Sequence, residues 1–255
     1  MGSSASPTPA LRTDPKIIFF TDFDGTITVQ DSNDYLTDNV GYGPERRRAV
    51  GHEVLEGRMA FRDAFSDMLN SVSLPFDQCI DLLLRKITLD PAFARFYAWC
   101  RESNVPVVVL SGGMRPIIEA LLRKLVGDEA VTDMQIVSND VAVRPGKAGV
   151  NEEGGWQIVY HDDSSFGHDK SVEIRKYSSL PQRPIMFYAG DGVSDLSAAK
   201  ETDLLFAREG RDLVQYCENE KVPYTTFADF STIHETVKAV LEGKLRVKDI
   251  AKRFD

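Results

Sequence analysis

Two pairs of aspartates carry the chemical signal in this 255-residue chain: Asp22 and Asp24 in the run DFDGTIT, and Asp191 and Asp195 in GDGVSD. Crowded carboxylates repel one another, and the arrangement is costly unless a cation balances it. Hard oxygen ligands select Mg2+, which keeps several waters and prefers a site shared with phosphate. Ser111-Gly112-Gly113 offers a hydroxyl followed by backbone N–H groups that a ligand can approach closely. Lys170, in GHDK, offers a cation entering a helix. Hydroxyl, amide N–H and ammonium groups are phosphate-binding donors. A carboxylate can attack as a nucleophile and form an acyl-phosphate. A neighbouring carboxyl can then protonate the leaving alcohol and later deprotonate the attacking water.

Chemistry at these positions needs elements that hold them. Asp22, Ser111 and Asp191 follow the runs Ile17–Thr21, Val105–Leu110 and Ile185–Ala189, each apolar nearly throughout. Such runs read as strands buried on both faces of a parallel sheet. Helical patterns lie between them, as in Pro116–Leu125, where Ile117, Leu121, Leu122 and Leu125 share one face. The alternation predicts an α/β fold with a doubly wound parallel sheet, in which ligands bind outside the carboxyl ends of the strands.

The stretch from Asp22 to Ser111 far exceeds the ~30 residues of a simple βαβ unit. Its surplus predicts a small helical cap domain over residues 32–90, inserted after the first strand into a core of 15–31 and 91–255. Phe61, Phe65, Met68, Leu69 and Val72 form one apolar stripe there, and Ile80, Leu83, Leu84 and Ile87 form a second. Between Val131 and Gly167, the pieces QIVSN, DVAVR and WQIVY flank a Gly-rich turn and predict an extra hairpin, loop-like around Pro145–Gly155. Phe96 and Trp99 read as core. His168 reads as structural, and Arg46-Arg47-Arg48 as the solvated face of a cap helix.

Composition excludes several function classes. A net charge of −9 argues against non-specific binding to nucleic-acid backbones or anionic membranes. Three widely spaced cysteines (Cys79, Cys100, Cys217) form no disulfide framework or zinc motif and suit a reducing cytoplasm. No apolar run approaches the ~18–20 residues of a membrane span. Residues 1–14 are expected to be a disordered tail. Met1-Gly2 with Ser6 matches the N-myristoylation pattern, but no polybasic segment or second lipid signal follows, which favours a plain leader.

The ordered set DFDGT, strand-terminal Ser111, Lys170 and GDGVSD resembles the four motifs of the haloacid dehalogenase superfamily of phosphatases. The cap position resembles the subfamily related to phosphoserine phosphatase, and TDFDGTIT, SSFGHDKS and GDGVSDLSAAK resemble a group of fungal sugar-alcohol phosphatases. The resemblance runs from about Lys16 to Leu245. It implies Asp22 as nucleophile and Asp24 as general acid/base. It implies Mg2+ held by Asp22, the backbone carbonyl of Asp24, and Asp191. Ser111 and Gly112 would bind the transferring phosphoryl, Lys170 would neutralise its charge, and Asp195 would orient Lys170 or a metal-bound water. Many relatives have Asn where this chain has Ser194.

The substrate must be read from the cap. Phosphoserine phosphatases hold the substrate carboxylate with a cap Arg, and Met68 occupies that place here, with Arg62 or Arg115 as possible replacements. An uncharged, hydroxyl-rich leaving group needs hydrogen-bonding side chains, which Asp31, Asn33, Asp34 and Tyr35 supply. Helix N-capping by Asp31 or Ser32 is an equal alternative to such contact. The resemblance to sugar-alcohol phosphatases implies a small polyol phosphate, such as sorbitol, ribitol or glycerol phosphate, as the expected substrate. Phosphoserine or a methionine-salvage diketo phosphate is the alternative. A sugar-phosphate mutase-type phosphotransferase or a non-catalytic phospho-acceptor module would be alternatives of another class.

Overall fold

The structure, a computed structural model, describes residues 9–252. The lipidation pattern and most of the expected tail therefore lie outside the described residues. Pro9–Leu11 form a single 3-10 turn whose Ala10 is buried.

Seven strands form the sheet: β1 (Ile17–Thr21), β2 (Val107–Met114), β3 (Gln135–Val143), β4 (Trp156–Val159), β5 (Ile185–Gly190), β6 (Leu204–Arg208) and β7 (Thr225–Phe227). Their order is β4-β3-β2-β1-β5-β6-β7. β1, β2, β5, β6 and β7 pair in parallel, whereas β3 and β4 are antiparallel. Helices α1 (Ser32–Val40), α2 (Pro44–Leu55), α3 (Phe61–Asn70), α4 (Phe76–Lys86) and α5 (Phe93–Glu102) lie between β1 and β2. Then follow α6 (Arg115–Leu125), α7 (Asp128–Asp133), α8 (Lys170–Ser178), α9 (Leu196–Ala199), α10 (Asp212–Glu220) and α11 (Phe230–Leu241). This is the α/β architecture the apolar runs predicted.

The chain divides into two compact units. The first comprises the residues up to Asp22, Asp90–Val109 and the chain from Lys170 onward. Its central strand β1 is flanked by β2 and β5, so all five of its side chains are buried, which is why IIFFT is apolar without alternation. Phe19 packs edge-on against Phe96 at 4.8 Å, and Phe230 against Phe93 at the same distance. Burying each such ring stabilises the unit by roughly 1.5–3 kcal/mol. Asp90, fully buried, ties two helix starts together: its Oδ1 accepts from Ala92 N at 3.0 Å and Phe230 N at 3.1 Å. Trp99 departs from the expectation of core. It is half-buried between the His234 ring at 4.8 Å and the Phe96 ring at 6.2 Å, because it lies at the edge of the α5 face that buries Phe93, Phe96 and Cys100.

The second unit comprises Phe23–Leu89 and Leu110–Asp169. The stripe read from residues 61–72 is the buried face of α3, with Ala64, Phe65, Met68 and Leu69 inside. α2 buries no residue, and its basic run is ion-paired: Arg47 with Asp34 and Asp38, Arg46 with Asp67. The hairpin is present, but QIVSN and DVAVR are one continuous strand, β3, paired with β4. Trp156 anchors it, fully buried, with its ring 5.4 Å from Phe76 and its indole N–H donating to Leu74 O at 2.9 Å. Residues 144–155 form the connecting loop.

Candidate active site

In the first unit, the end of β1 presents Asp22, whose backbone N–H donates to Ala189 O on β5 at 2.8 Å. Lys170 starts α8 with its side chain fully buried. Its Nζ lies 3.1 Å from Asp22 Oδ1 and 2.6 Å from Asp195 Oδ1. Burial alone would lower the lysine pKa, but the Asp195 and Asp22 carboxylates outweigh it and hold the value above the ordinary one. The ammonium therefore stays charged inside the protein. Tyr188, on β5, donates its hydroxyl to Asp195 Oδ1 at 2.5 Å. Burial, with the Asp195 and Asp22 charges behind it, pushes the Tyr188 pKa well above its usual value. Asp195 Oδ2 accepts from the backbone N–H groups of Asp191 at 2.9 Å and Gly192 at 3.0 Å. Its carboxyl folds back so tightly that a Cβ at Gly190 would sit 2.4 Å from its Cγ. The first glycine of GDGVSD is therefore a steric requirement.

Carboxylate oxygens of Asp22, Asp191 and Asp195 lie within 4.8 Å of one another, close enough to share a cation. Asp195, however, already receives two donors on each oxygen. A carboxylate has about four lone-pair sites, so Asp195 is saturated. Asp22 and Asp191 would then be the carboxylates that supply oxygen ligands, a donor set that fits a hard divalent ion such as Mg2+.

In the second unit, Asp24 is buried at the approach to α1. Its Oδ1 accepts from Ser32 N at 2.8 Å and its Oδ2 from Asn33 Nδ2 at 3.1 Å. Asp31 caps the same helix, accepting from Asn33 N at 2.7 Å and Asp34 N at 2.9 Å. Burial raises the Asp31 pKa against these hydrogen bonds. Asp34 pairs with Arg47 at 2.7 Å. β2 starts only at Val107, after Pro106, and runs through Ser111, Gly112 and Gly113, which the sequence reading had placed beyond the strand. Gly113 N–H donates to Ser111 Oγ at 3.0 Å. A Cβ at Gly113 would lie 2.7 Å from Asp24 Oδ2, 3.2 Å from Ser111 Oγ and 3.6 Å from Asn33 Nδ2. These three polar atoms therefore gather around one bare backbone carbon.

The candidates thus fall into two groups: Asp22, Lys170, Asp191 and Asp195 in the first unit, and Asp24, Asn33, Ser111 and Gly112 in the second. Asp31 and Asp34 are engaged in capping and ion pairing within α1 and α2. Sequence reasoning missed Tyr188, Asn139 and the contact made by His168. A tyrosine within a fully buried strand does carry a signal, because its hydroxyl needs a partner. Asn139 carries none.

Residues 19–200 match the haloacid dehalogenase-like hydrolase family. The chain is 51% identical over 225 residues to Pdp3-interacting factor 1 of Schizosaccharomyces pombe, covering 88% of this chain and 95% of that protein. It is 48% identical over 243 residues to polyol phosphate phosphatase PYP1 of Saccharomyces cerevisiae, covering 92% and 98%. The fold is also that of a phosphoserine phosphatase solved as a phospho-aspartyl intermediate analogue, with a TM-score of 0.58 at 18% identity over 79% of this chain and 90% of that one. The four motifs, the parallel sheet and the extent of the match agree: this chain belongs to the haloacid dehalogenase-like hydrolases.

Proposed function

We propose that this hydrolase is a Mg2+-dependent phosphomonoesterase for small polyol phosphates, working in a reducing cytoplasm, with residues 32–90 as its cap. The observation that carries the reading is the 48% identity, over nearly the whole chain, to a polyol phosphate phosphatase. The side chains support an uncharged leaving group. Met68 is buried and apolar. Arg62 donates to Asp162 O at 2.8 Å with its guanidinium 4.4 Å from the Tyr160 ring centroid, and Arg115 donates to Ile136 O at 2.6 Å. Both arginines are committed within their own unit, where they serve structure rather than a substrate carboxylate.

In this mechanism an oxygen of Asp22 attacks phosphorus, forming an aspartyl-phosphate as the bond from phosphorus to the alcohol oxygen breaks. Asp24 delivers its proton to the departing alkoxide. The resulting carboxylate takes a proton from water, which attacks the aspartyl-phosphate and releases inorganic phosphate, restoring Asp22. Lys170, kept charged by its two carboxylates, balances negative charge on the phosphoryl. Ser111 Oγ and the Gly112 N–H hold the phosphoryl oxygens. Asp22, Asp191 and the Asp24 carbonyl would hold Mg2+, which when bound withdraws charge from the phosphoryl group.

Phosphate release across polyol, sugar, amino-acid and diketo-pentyl phosphates, with Mg2+ and with excess EDTA, tests the reading. Preference for polyol phosphates, loss in EDTA and loss in Asp22→Asn are expected. Preference for phosphoserine over every polyol phosphate, or full activity in EDTA, would overturn it.

A further inference from the structure

We propose that Asn139 and His168 are positioning residues that fix the two peptide planes flanking Gly112. This assigns the β3–β4 hairpin and the segment after it a part in phosphoryl recognition. The inference rests on the reading above, that Ser111 and Gly112 bind the phosphoryl group.

His168 is buried, and its Nδ1 lies 2.9 Å from the Ser111 carbonyl oxygen. A carbonyl oxygen only accepts, so Nδ1 carries the proton and donates. Asn139, also buried, donates from Nδ2 to the Gly112 carbonyl at 2.7 Å. The other end of the same amide accepts from His161 N at 2.8 Å, so the orientation of Asn139 is set from both sides. The His161 ring in turn lies 4.7 Å from the His168 ring. One small network therefore grips two successive carbonyls of β2.

The consequence follows from peptide geometry. In a planar trans peptide the C=O and the following N–H point in opposite directions. Capturing Ser111 O thus aims the Gly112 N–H away from His168, and capturing Gly112 O does the same for the Gly113 N–H relative to Asn139. The Gly113 N–H meets Ser111 Oγ at 3.0 Å, occupying an acceptor site on that hydroxyl and favouring donation of its proton outward to an anion. Two consecutive glycines have no side chains to restrain φ and ψ. Bare backbone grants a phosphoryl group close approach, but it cannot hold itself in register, and the two captured carbonyls supply the rigidity. Preorganised donors of this kind matter most in the transition state.

The test uses the full-length enzyme with Mg2+, p-nitrophenyl phosphate as substrate and orthovanadate as a phosphoryl mimic. Asn139→Asp keeps the shape but sets an anionic oxygen against the Gly112 carbonyl. His168→Gln moves the donor to the Nε2 position, whereas His168→Asn keeps a donor where Nδ1 was. Asn139→Asp and His168→Gln should lower kcat/KM by about 10- to 100-fold, the scale of an ~1 Å misplacement. Their vanadate inhibition constants should rise in parallel, with Mg2+ half-saturation unchanged, at a temperature where thermal melts show each variant folded. His168→Asn should restore most of both kinetic properties. Ser111→Ala is measured beside them. If Ser111→Ala loses vanadate affinity while Asn139→Asp and His168→Gln keep theirs, the positioning role is overturned and the phosphate-site reading survives. Equal behaviour of His168→Asn and His168→Gln also overturns the role assigned to Nδ1. If Ser111→Ala keeps its vanadate affinity as well, the phosphate-site reading and the inference fail together.

Discussion

Replacing Asp195 with asparagine should destabilise the protein through a single buried cluster. The carboxylate receives Lys170 Nζ and Tyr188 OH on Oδ1, and two backbone N–H groups on Oδ2. An asparagine has one oxygen and can face only one of these pairs. If the oxygen stays on the backbone side, the new NH2 confronts an ammonium that cannot accept a hydrogen bond. If it turns, the NH2 confronts the Asp191 and Gly192 N–H groups. A hydrogen bond to a charged group contributes about 1.5–3 kcal/mol, and removing one partner of a buried ion pair costs about 3–5 kcal/mol. Asp22, at 3.1 Å from Lys170, remains as a counter-charge, which favours the lower end of that range. At about 2–4 °C per kcal/mol for a chain of this size, the melting midpoint should fall by about 6–12 °C. Urea unfolding followed by circular dichroism would measure the loss. The same experiment on Lys170→Met and on Lys170→Met/Asp195→Asn closes a double-mutant cycle. The double variant should be at least ~1 kcal/mol more stable than the two single losses predict, since it no longer strands one charge. Losses that add to within about 0.5 kcal/mol would refute direct coupling between Lys170 and Asp195.

Lys170 and Tyr188 both have pKa values raised by folding, so the native state retains protons that the unfolded chain gives up at high pH. Their stabilisation is complete below the unfolded pKa values near ~10 and is lost as pH rises through the folded ones; the melting temperature should hold to about pH 9.5 and then fall. A midpoint that stays constant to pH 11 would contradict this. Gly113→Ala should force Asp24 from its place and reduce kcat by about 10- to 100-fold. Gly112→Ala, with nothing within 4 Å of its new Cβ, should fold with unchanged stability, and thermal melts beside steady-state kinetics separate the two. Burial pushes the Cys79 and Cys217 thiols up to about 12 and Cys100 well above the usual value. Iodoacetamide at pH 8 should therefore leave all three unmodified until denaturant is added, as mass spectrometry can read.

Much of this protein was legible in one dimension, because the relevant signals are local. A central strand such as Ile17–Thr21 is apolar throughout because both its faces are covered, and α3 shows its buried stripe because a helix repeats every 3.6 residues. The carboxylate motifs stood out because turn chemistry crowds like charges within a few positions of a strand end. Trp99 shows where local reading stops: hydrophobicity names a core type, while the rotation of α5 decides how far it is covered.

What the tertiary structure decided depends on partners distant in sequence. The motif resemblance implied only that Asp195 would orient Lys170 or a metal-bound water. In the structure its two oxygens receive Lys170, Tyr188 and two N–H groups of its own turn, partners that no spacing in the sequence names. The charge of a fully buried Lys170 follows from the two carboxylates facing it, which overcome desolvation. Asn139 belongs to no motif and His168 reads from sequence as merely structural, yet they grip the carbonyls of Gly112 and Ser111 across 27 and 57 residues of chain. Residue type and spacing determined which groups were available for phosphoryl chemistry. Their protonation, saturation and aim were decided by folding, because electrostatic and hydrogen-bond energies depend on distances through space.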